Sequence, residues 1–256
     1  MSVRGRFVWY EALTKDPAGA VAFYPKVLGW GTSTMQVTGQ SYTMWMVGDA
    51  PIGGAMQLPP DAVSAGAPSH WLMYVGSDDV DATAKQAVDL GGKVCVAPQD
   101  IPNIGRFAVL TDPQGAMFAI YKSMNPAVPP VAKPGLGQVS WHELATTDHA
   151  AAFRFYHALF GWDETGTHDM GPLGLYRMIG HGTLSLGAMF NKPAEMPGPP
   201  HWLLYVRVAD INAAVALVKQ HGGQILNGPM EVPGGDWIAQ CLDPQGAAFA
   251  VHQVKG

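Results

Sequence analysis

The chain writes itself nearly twice. FVWYEALTKDPAGAVAFYPKVLGW (7–30) aligns with VSWHELATTDHAAAFRFYHALFGW (139–162), and ten of the 24 positions are identical. HWLMYV (70–75) returns as HWLLYV (201–206), and DPQGAMFAIY (112–121) as DPQGAAFAVH (243–252). The offset is 132 at the first pair (141 − 9) and 131 at the other two (201 − 70, 243 − 112). Long-range self-similarity of this kind limits the fold to two copies of one domain. We place the copies at residues 1–122 and 137–256. The segment 123–136 between them carries Pro126, Pro129, Pro130 and Pro134, which favour an extended linker.

Each copy repeats a smaller unit. A strand leads into a helix that Asp16 caps and Gly29 ends, with Pro17 at its first position. The strand HWLMYV leads into a helix starting near Asp78 or Asp79, whose spacing buries Val80, Ala84, Ala87 and Val88 before Gly91-Gly92 stops it. In the second copy Asp210 caps a helix burying Ile211, Val215 and Val218. Three short strands bounded by Gly and Pro follow each helix. The unit is βαβββ, written four times, and the fold class is α+β.

Composition narrows the function. Hydrophobic residues make up 48% of the chain and charged residues 14%, enough for a large core. The net charge is −5 with no basic cluster, so nucleic acid is an unsuitable partner. Cys95 and Cys241 make no disulfide framework. No apolar run reaches membrane-spanning length, and the expectation is a cytoplasmic protein, monomeric or a homodimer, with a small-molecule partner.

The elements D-x-x-x-A-x-x-FY-x-x-x-x-GW, HWLxYV…D and DPQGAxFA, in this order and twice, resemble the vicinal oxygen chelate superfamily. That superfamily includes glyoxalase I, extradiol dioxygenases and bleomycin-resistance proteins. The tandem layout is similar to actinobacterial members of hydroxylase or antigen type. The resemblance implies two glyoxalase-like domains, each of two βαβββ modules curled into a cup with a divalent metal on its floor. It also implies a ligand seven residues before the helix-capping Asp, one at the histidine of HWLxYV, and one seven residues after the Asp of DPQG. The first and last positions hold Trp9 and Ala119 in one copy, Trp141 and Ala250 in the other. None of these binds a metal.

Strand alternation puts Trp71, Met73 and Val75 on one face and His70, Leu72 and Tyr74 on the other. The second copy splits likewise, with His201, Leu203 and Tyr205 facing the cleft. Glu11 and Glu143 lie two residues past Trp9 and Trp141, on the same cleft side. A carboxylate there needs a partner, and His70 and His201 are the expected ones. His252 joins Glu143 and His201 to complete a two-histidine, one-carboxylate set for Fe, Mn or Zn. The first copy has Tyr121 in its place, so any metal is expected in the second half, with His70 and Glu11 the weaker set. A cleft without metal is the equal alternative. Trp9, Trp141, Tyr74, Tyr205 and Tyr121 would contact a ligand, Arg106 could anchor an anion, and GPLGLYRM (171–178) would rim a cleft. His142 falls on the opposite face and reads as structural.

Two functions follow from the resemblance. One is metal-assisted lyase, isomerase or dioxygenase chemistry on a small oxygen-rich or aromatic metabolite, with Glu143 or Glu11 as base. The other is metal-free binding or sequestration of such a molecule, as in bleomycin-resistance relatives.

Overall fold

A computed structural model describes residues 3–37, 39–125 and 133–256. In the first copy, β1 (Phe7–Thr14) leads to α1 (Pro17–Leu28), β2 (Gly31–Val37), β3 (Gln40–Val47) and β4 (Ala50–Gln57). A short α2 (Pro60–Ser64) precedes β5 (His70–Gly76). There follow α3 (Val80–Asp89), β6 (Lys93–Ile101), β7 (Gly105–Thr111) and β8 (Met117–Ser123). The second copy repeats this as β9 (Val139–Thr146), α4 (His149–Phe160), β10 (Asp163–Asp169), β11 (Leu175–His181) and β12 (Leu184–Asn191). It closes with β13 (His201–Arg207), α5 (Ile211–Gln220), β14 (Gln224–Glu231), β15 (Trp237–Leu242) and β16 (Ala248–Gln253). Four βαβββ modules are therefore present, in an α+β fold.

Each copy forms one eight-stranded sheet. The order is β2-β3-β4-β1-β5-β8-β7-β6 in the first and β10-β11-β12-β9-β13-β16-β15-β14 in the second. Within each module the first strand pairs in parallel with the last, as β1 with β4 and β5 with β8. The helix after each first strand makes that parallel return possible. Asp16, Asp79, Asp148 and Asp210 cap α1, α3, α4 and α5 by accepting N–H groups of the first turn. Gly29 and Gly161, at φ 70° and 74°, end α1 and α4 in the left-handed conformation that glycine takes without strain.

Packing follows a different division from the sheets. One compact unit comprises Met1–Val8, Met73–Ala132 and Trp141–Trp202; the other comprises Trp9–Leu72, Lys133–Ser140 and Leu203–Gly256. Each unit thus takes one module from each copy. The motif residues explain this. In the second unit Trp71 Nε1–H donates to Tyr24 Oη (2.9 Å), and Tyr24 O–H to Asp243 Oδ2 (2.9 Å). In the first unit Trp202 donates to Tyr156 (3.0 Å) and Tyr156 to Asp112 (3.2 Å). The Asp of DPQG in one copy therefore receives the Tyr of the FY motif from the other. All six side chains are buried. Val88 departs from its expected burial and is 48% exposed, because the stripe on α3 is only wide enough for Val80, Ala84 and Ala87. Of the linker prolines, Pro126, Pro129 and Pro130 lie outside the described residues.

Candidate functional site

Helix contacts identify the open face of each sheet. Trp45 packs its ring on Tyr24 of α1, so Tyr42, three residues earlier on β3, points away from the helix. Arg177 stands over the Phe153 ring of α4, so Tyr176 also points away. Both tyrosines reach the glutamates singled out above. Tyr42 O–H donates to Glu11 Oε2 (2.7 Å), and Trp9 Nε1–H donates to Tyr42 Oη (3.0 Å) and Glu11 Oε2 (3.3 Å). In the second half Trp141 Nε1–H donates to Tyr176 Oη (2.8 Å) and Tyr176 O–H to Glu143 Oε2 (2.9 Å).

A Trp–Tyr–Glu cluster therefore floors both halves, and the tyrosines were missed. Tyr176 was hidden in a segment that suggested a loop rim. The signal was a shared Tyr-x-Met, in SYTM (41–44) and LYRM (175–178). Gly54 lies opposite Glu11 in the β1–β4 ladder, where a Cβ would overlap Tyr42 Oη; Ala188 occupies that place opposite Glu143.

Glu11 is 3% exposed, and its Oε1 is buried with no partner. Burial pushes the carboxyl up to about 7, against the pull of the Tyr42 and Trp9 hydrogen bonds. Glu11 favours the folded state fully below 4.5, its ordinary value, and that contribution is lost as pH rises through about 7. Glu11→Gln keeps the shape without the charge. Urea melts should show the variant gaining on wild type between pH 5 and pH 8, by up to about 3 kcal/mol. Parallel pH profiles would refute the assignment.

The histidines answer to a local need instead. His70 Nδ1 lies 2.9 Å from the Pro68 carbonyl and His201 Nδ1 2.9 Å from the Pro199 carbonyl. Each ring pins a Pro-rich loop to the start of its strand. The expected Glu11–His70 pair does not form, since Glu11 Oε1 and His70 Nε2 are both without partners. The capping aspartates mark a second position on each of these strands. Asp79 and Asp210 are the N-caps. Counted by the same seven residues that mark Trp9 before Asp16, the equivalent positions on β5 and β13 are Leu72 and Leu203. His70 and His201 lie two residues too early.

The remaining candidates separate. Tyr74 packs with Phe107 and Tyr121 (ring centroids 6.3 and 6.4 Å) on the open face. Tyr205 is 2% exposed, with its hydroxyl accepting from Gln240. Arg106 turns to the helix side, where Asp81 takes two of its N–H groups (2.7 and 2.8 Å) and Asp100 a third (2.9 Å). Its charge is committed there and not to the cleft. His252 also has both nitrogens engaged, by Ser140 and Asp236. His142 is buried against Phe7 (3.7 Å between centroids) and desolvation pushes it down to about 4. A cavity of about 290 Å³ lies elsewhere, among Val27, Leu136, Arg207 and Leu217, away from either glutamate.

The chain belongs to the Glyoxalase/Bleomycin resistance protein/Dioxygenase superfamily, whose family model matches residues 6–120 and again 135–251. CFP32 of Mycobacterium tuberculosis, whose name calls it a glyoxylase, is 47% identical over 119 residues. That alignment covers 46% of this chain and 44% of CFP32, less than half of either. Anthracycline biosynthesis protein DauV of a Streptomyces species is 29% identical over 270 residues, covering 98% of this chain and 94% of its own. The Mn(II)-bound glyoxalase of Novosphingobium aromaticivorans shares the fold, with TM-score 0.62 and 17% identity over 98% of this chain and 82% of that one.

A metal of that kind does not fit the residues here. The equivalent positions are Trp9, Leu72 and Ala119 in one half, Trp141, Leu203 and Ala250 in the other. Among the described residues no three His, Cys, Asp or Glu side chains come together as a ligand set. The expected set of Glu143, His201 and His252 is not assembled, since His252 is held by Ser140 and Asp236. Where a ligand would stand, Glu11 Oε2 instead receives N–H and O–H donors.

Proposed function

We propose that the first half binds a small, oxygen-bearing aromatic molecule on its open face and that Glu11 exchanges a proton with it. The observation carrying this reading is the Glu11 carboxyl itself. Its Oε2 is held by Tyr42 and Trp9, while its Oε1 is buried and unpartnered. A buried polar atom left so costs about 1–3 kcal/mol, which a ligand can recover. A carboxyl that titrates near 7 can donate its proton to a ligand carbonyl or withdraw one from a hydroxyl. Tyr42 and Trp9 hold the carboxyl still through either state. The half-buried Trp9 indole offers an aromatic wall. The similarity to an anthracycline biosynthesis protein supports a fused-ring, hydroxylated ligand. Sequestration without turnover is the second reading, favoured by the replacement of ligand positions in both halves.

A hydroxylated anthraquinone is the first probe and the methylglyoxal–glutathione adduct the second. Tryptophan fluorescence should be quenched by the anthraquinone, unchanged by chelator, and Trp9→Phe should remove most of the response. Glu11→Gln should weaken binding about tenfold and flatten its pH dependence around 7. Binding that survives both changes, or that chelator abolishes, refutes the proposal. Bound ligand recovered unaltered selects sequestration.

A further inference from the structure

The second half holds a row of hydrogen bonds that the first half lacks. Ser140 Oγ lies 2.8 Å from His252 Nδ1, and His252 Nε2 lies 3.0 Å from Asp236 Oδ2. The Lys255 backbone N–H fixes the other carboxylate oxygen at 2.8 Å. Gly234 and Gly235, at φ 105° and 91°, form the turn that presents Asp236. Their counterparts in the first copy are Val8 (140 − 132), Tyr121 (252 − 131) and Gly105 (236 − 131). All three members of the row differ from the copy, while the aromatic floor and both buried Trp–Tyr–Asp chains are duplicated.

The proton positions follow from charge. Partial burial works upward on Asp236, but the Lys255 N–H and His252 outweigh it and hold the carboxyl below the ordinary carboxylate range. An ionised Asp236 takes the Nε2–H of His252. In the neutral ring Nδ1 is then the acceptor for the Ser140 hydroxyl, whose other acceptor, the Tyr205 carbonyl, is more distant at 3.3 Å. A hydroxyl within reach of a base, the base itself oriented by a third group, is the arrangement of an activated nucleophile. The ring nitrogens are exchanged relative to a serine protease, yet each role is filled. His252 lies opposite Arg207 in the β13–β16 ladder, which puts the two side chains on the same side of the sheet; Arg207 Nη1–H donates to the Pro134 carbonyl (2.7 Å) and its other N–H groups remain to meet an anion. The His252 side chain is 14% exposed and that of Asp236 32%.

We propose that Ser140 is a nucleophile toward small activated esters, with His252 as its base, Asp236 as the positioning carboxylate and Arg207 as the charge facing the oxyanion. Ser140 Oγ bonds to the acyl carbon as its proton passes to Nδ1. The ester C–O bond breaks, and the departing alcohol takes that proton. Water then attacks the acyl-serine, its proton passing through Nδ1 to Oγ as the carboxylic acid leaves. This activity is independent of Glu11.

The full chain treated with diisopropyl fluorophosphate should gain one phosphoryl adduct, mapped to Ser140 by peptide mass. Ser140→Ala should gain none, and Asp236→Asn should react at least about tenfold more slowly. Near-ultraviolet circular dichroism checks that both variants are folded. Glu11→Gln should label as wild type does, which separates this site from the first. p-Nitrophenyl acetate hydrolysis should fall in Ser140→Ala. An adduct elsewhere, no adduct, or equal hydrolysis by Ser140→Ala and wild type would overturn the proposal.

Discussion

Asp243→Ala is expected to lower stability by about 3–5 kcal/mol, enough to move the melting temperature by roughly 10 °C in a chain of this size. Asp243 is 3% exposed. Its Oδ1 accepts the backbone N–H groups of Gln245 (2.9 Å) and Ala247 (2.8 Å), and its Oδ2 the Tyr24 hydroxyl. Alanine leaves the Ala247 amide and the Tyr24 phenol buried, and the Gln245 amide half-buried, without an acceptor, and each carries a desolvation cost. Tyr24 stands in the first copy, 219 residues away. A double-mutant cycle of Tyr24→Phe with Asp243→Ala should therefore show coupling of about 1 kcal/mol or more, whereas Tyr24→Phe with Asp112→Ala should be additive. A loss below about 0.5 kcal/mol, or no coupling, would refute the role given to the DPQG aspartate.

Cutting the chain between the copies has the second large effect. The residue ranges 1–125 and 133–256 each contain a whole sheet, but neither contains a whole core. In one unit Phe118 of the first copy meets Phe155, Tyr156 and Phe160 of the second (centroids 6.1, 5.4 and 6.0 Å). In the other, Phe249 meets Phe23 and Tyr24 (5.8 and 5.4 Å). Seven buried aromatic side chains would lose their partners. At about 1.5–3 kcal/mol each, the loss is on the order of 10 kcal/mol, comparable with the whole net stability of a domain. Each half alone is expected to aggregate or to pair with a second copy of itself. Co-expressed halves should give a one-to-one complex by size-exclusion chromatography with light scattering. A monomeric half with a cooperative melt would contradict this account.

These two effects mark the boundary between local and distant information. The four modules, their capping aspartates and the buried face Trp71–Met73–Val75 follow from residues a few places apart, so helix and strand periodicity reveals them. The cleft side of Glu11 and Glu143 is legible for the same reason. Their neighbours Tyr42 and Tyr176 lie 31 and 33 residues further along the chain, on another strand, and alternation along one strand says nothing about what another brings. The histidines of HWLMYV and HWLLYV mislead in the opposite direction. Each ring turns back to a carbonyl two residues upstream.

Arg106 and His252 show how charge chooses among partners only after folding. Parity shows which face such a residue occupies, but the carboxylates that claim it come from a helix or a turn. Asp81 reaches Arg106 from α3, and Asp236 reaches His252 from the turn before β15. The sequence by itself determined the duplication, the βαβββ modules and the non-ligating side chains Trp9, Ala119, Trp141 and Ala250 at positions where the resemblance implies ligands. Tertiary structure alone decided which modules share a core, which tyrosines hold the glutamates and which groups His252 serves. Those outcomes depend on contacts between residues up to 219 positions apart. Such contacts form when apolar faces from both copies are buried together, and no local pattern encodes them.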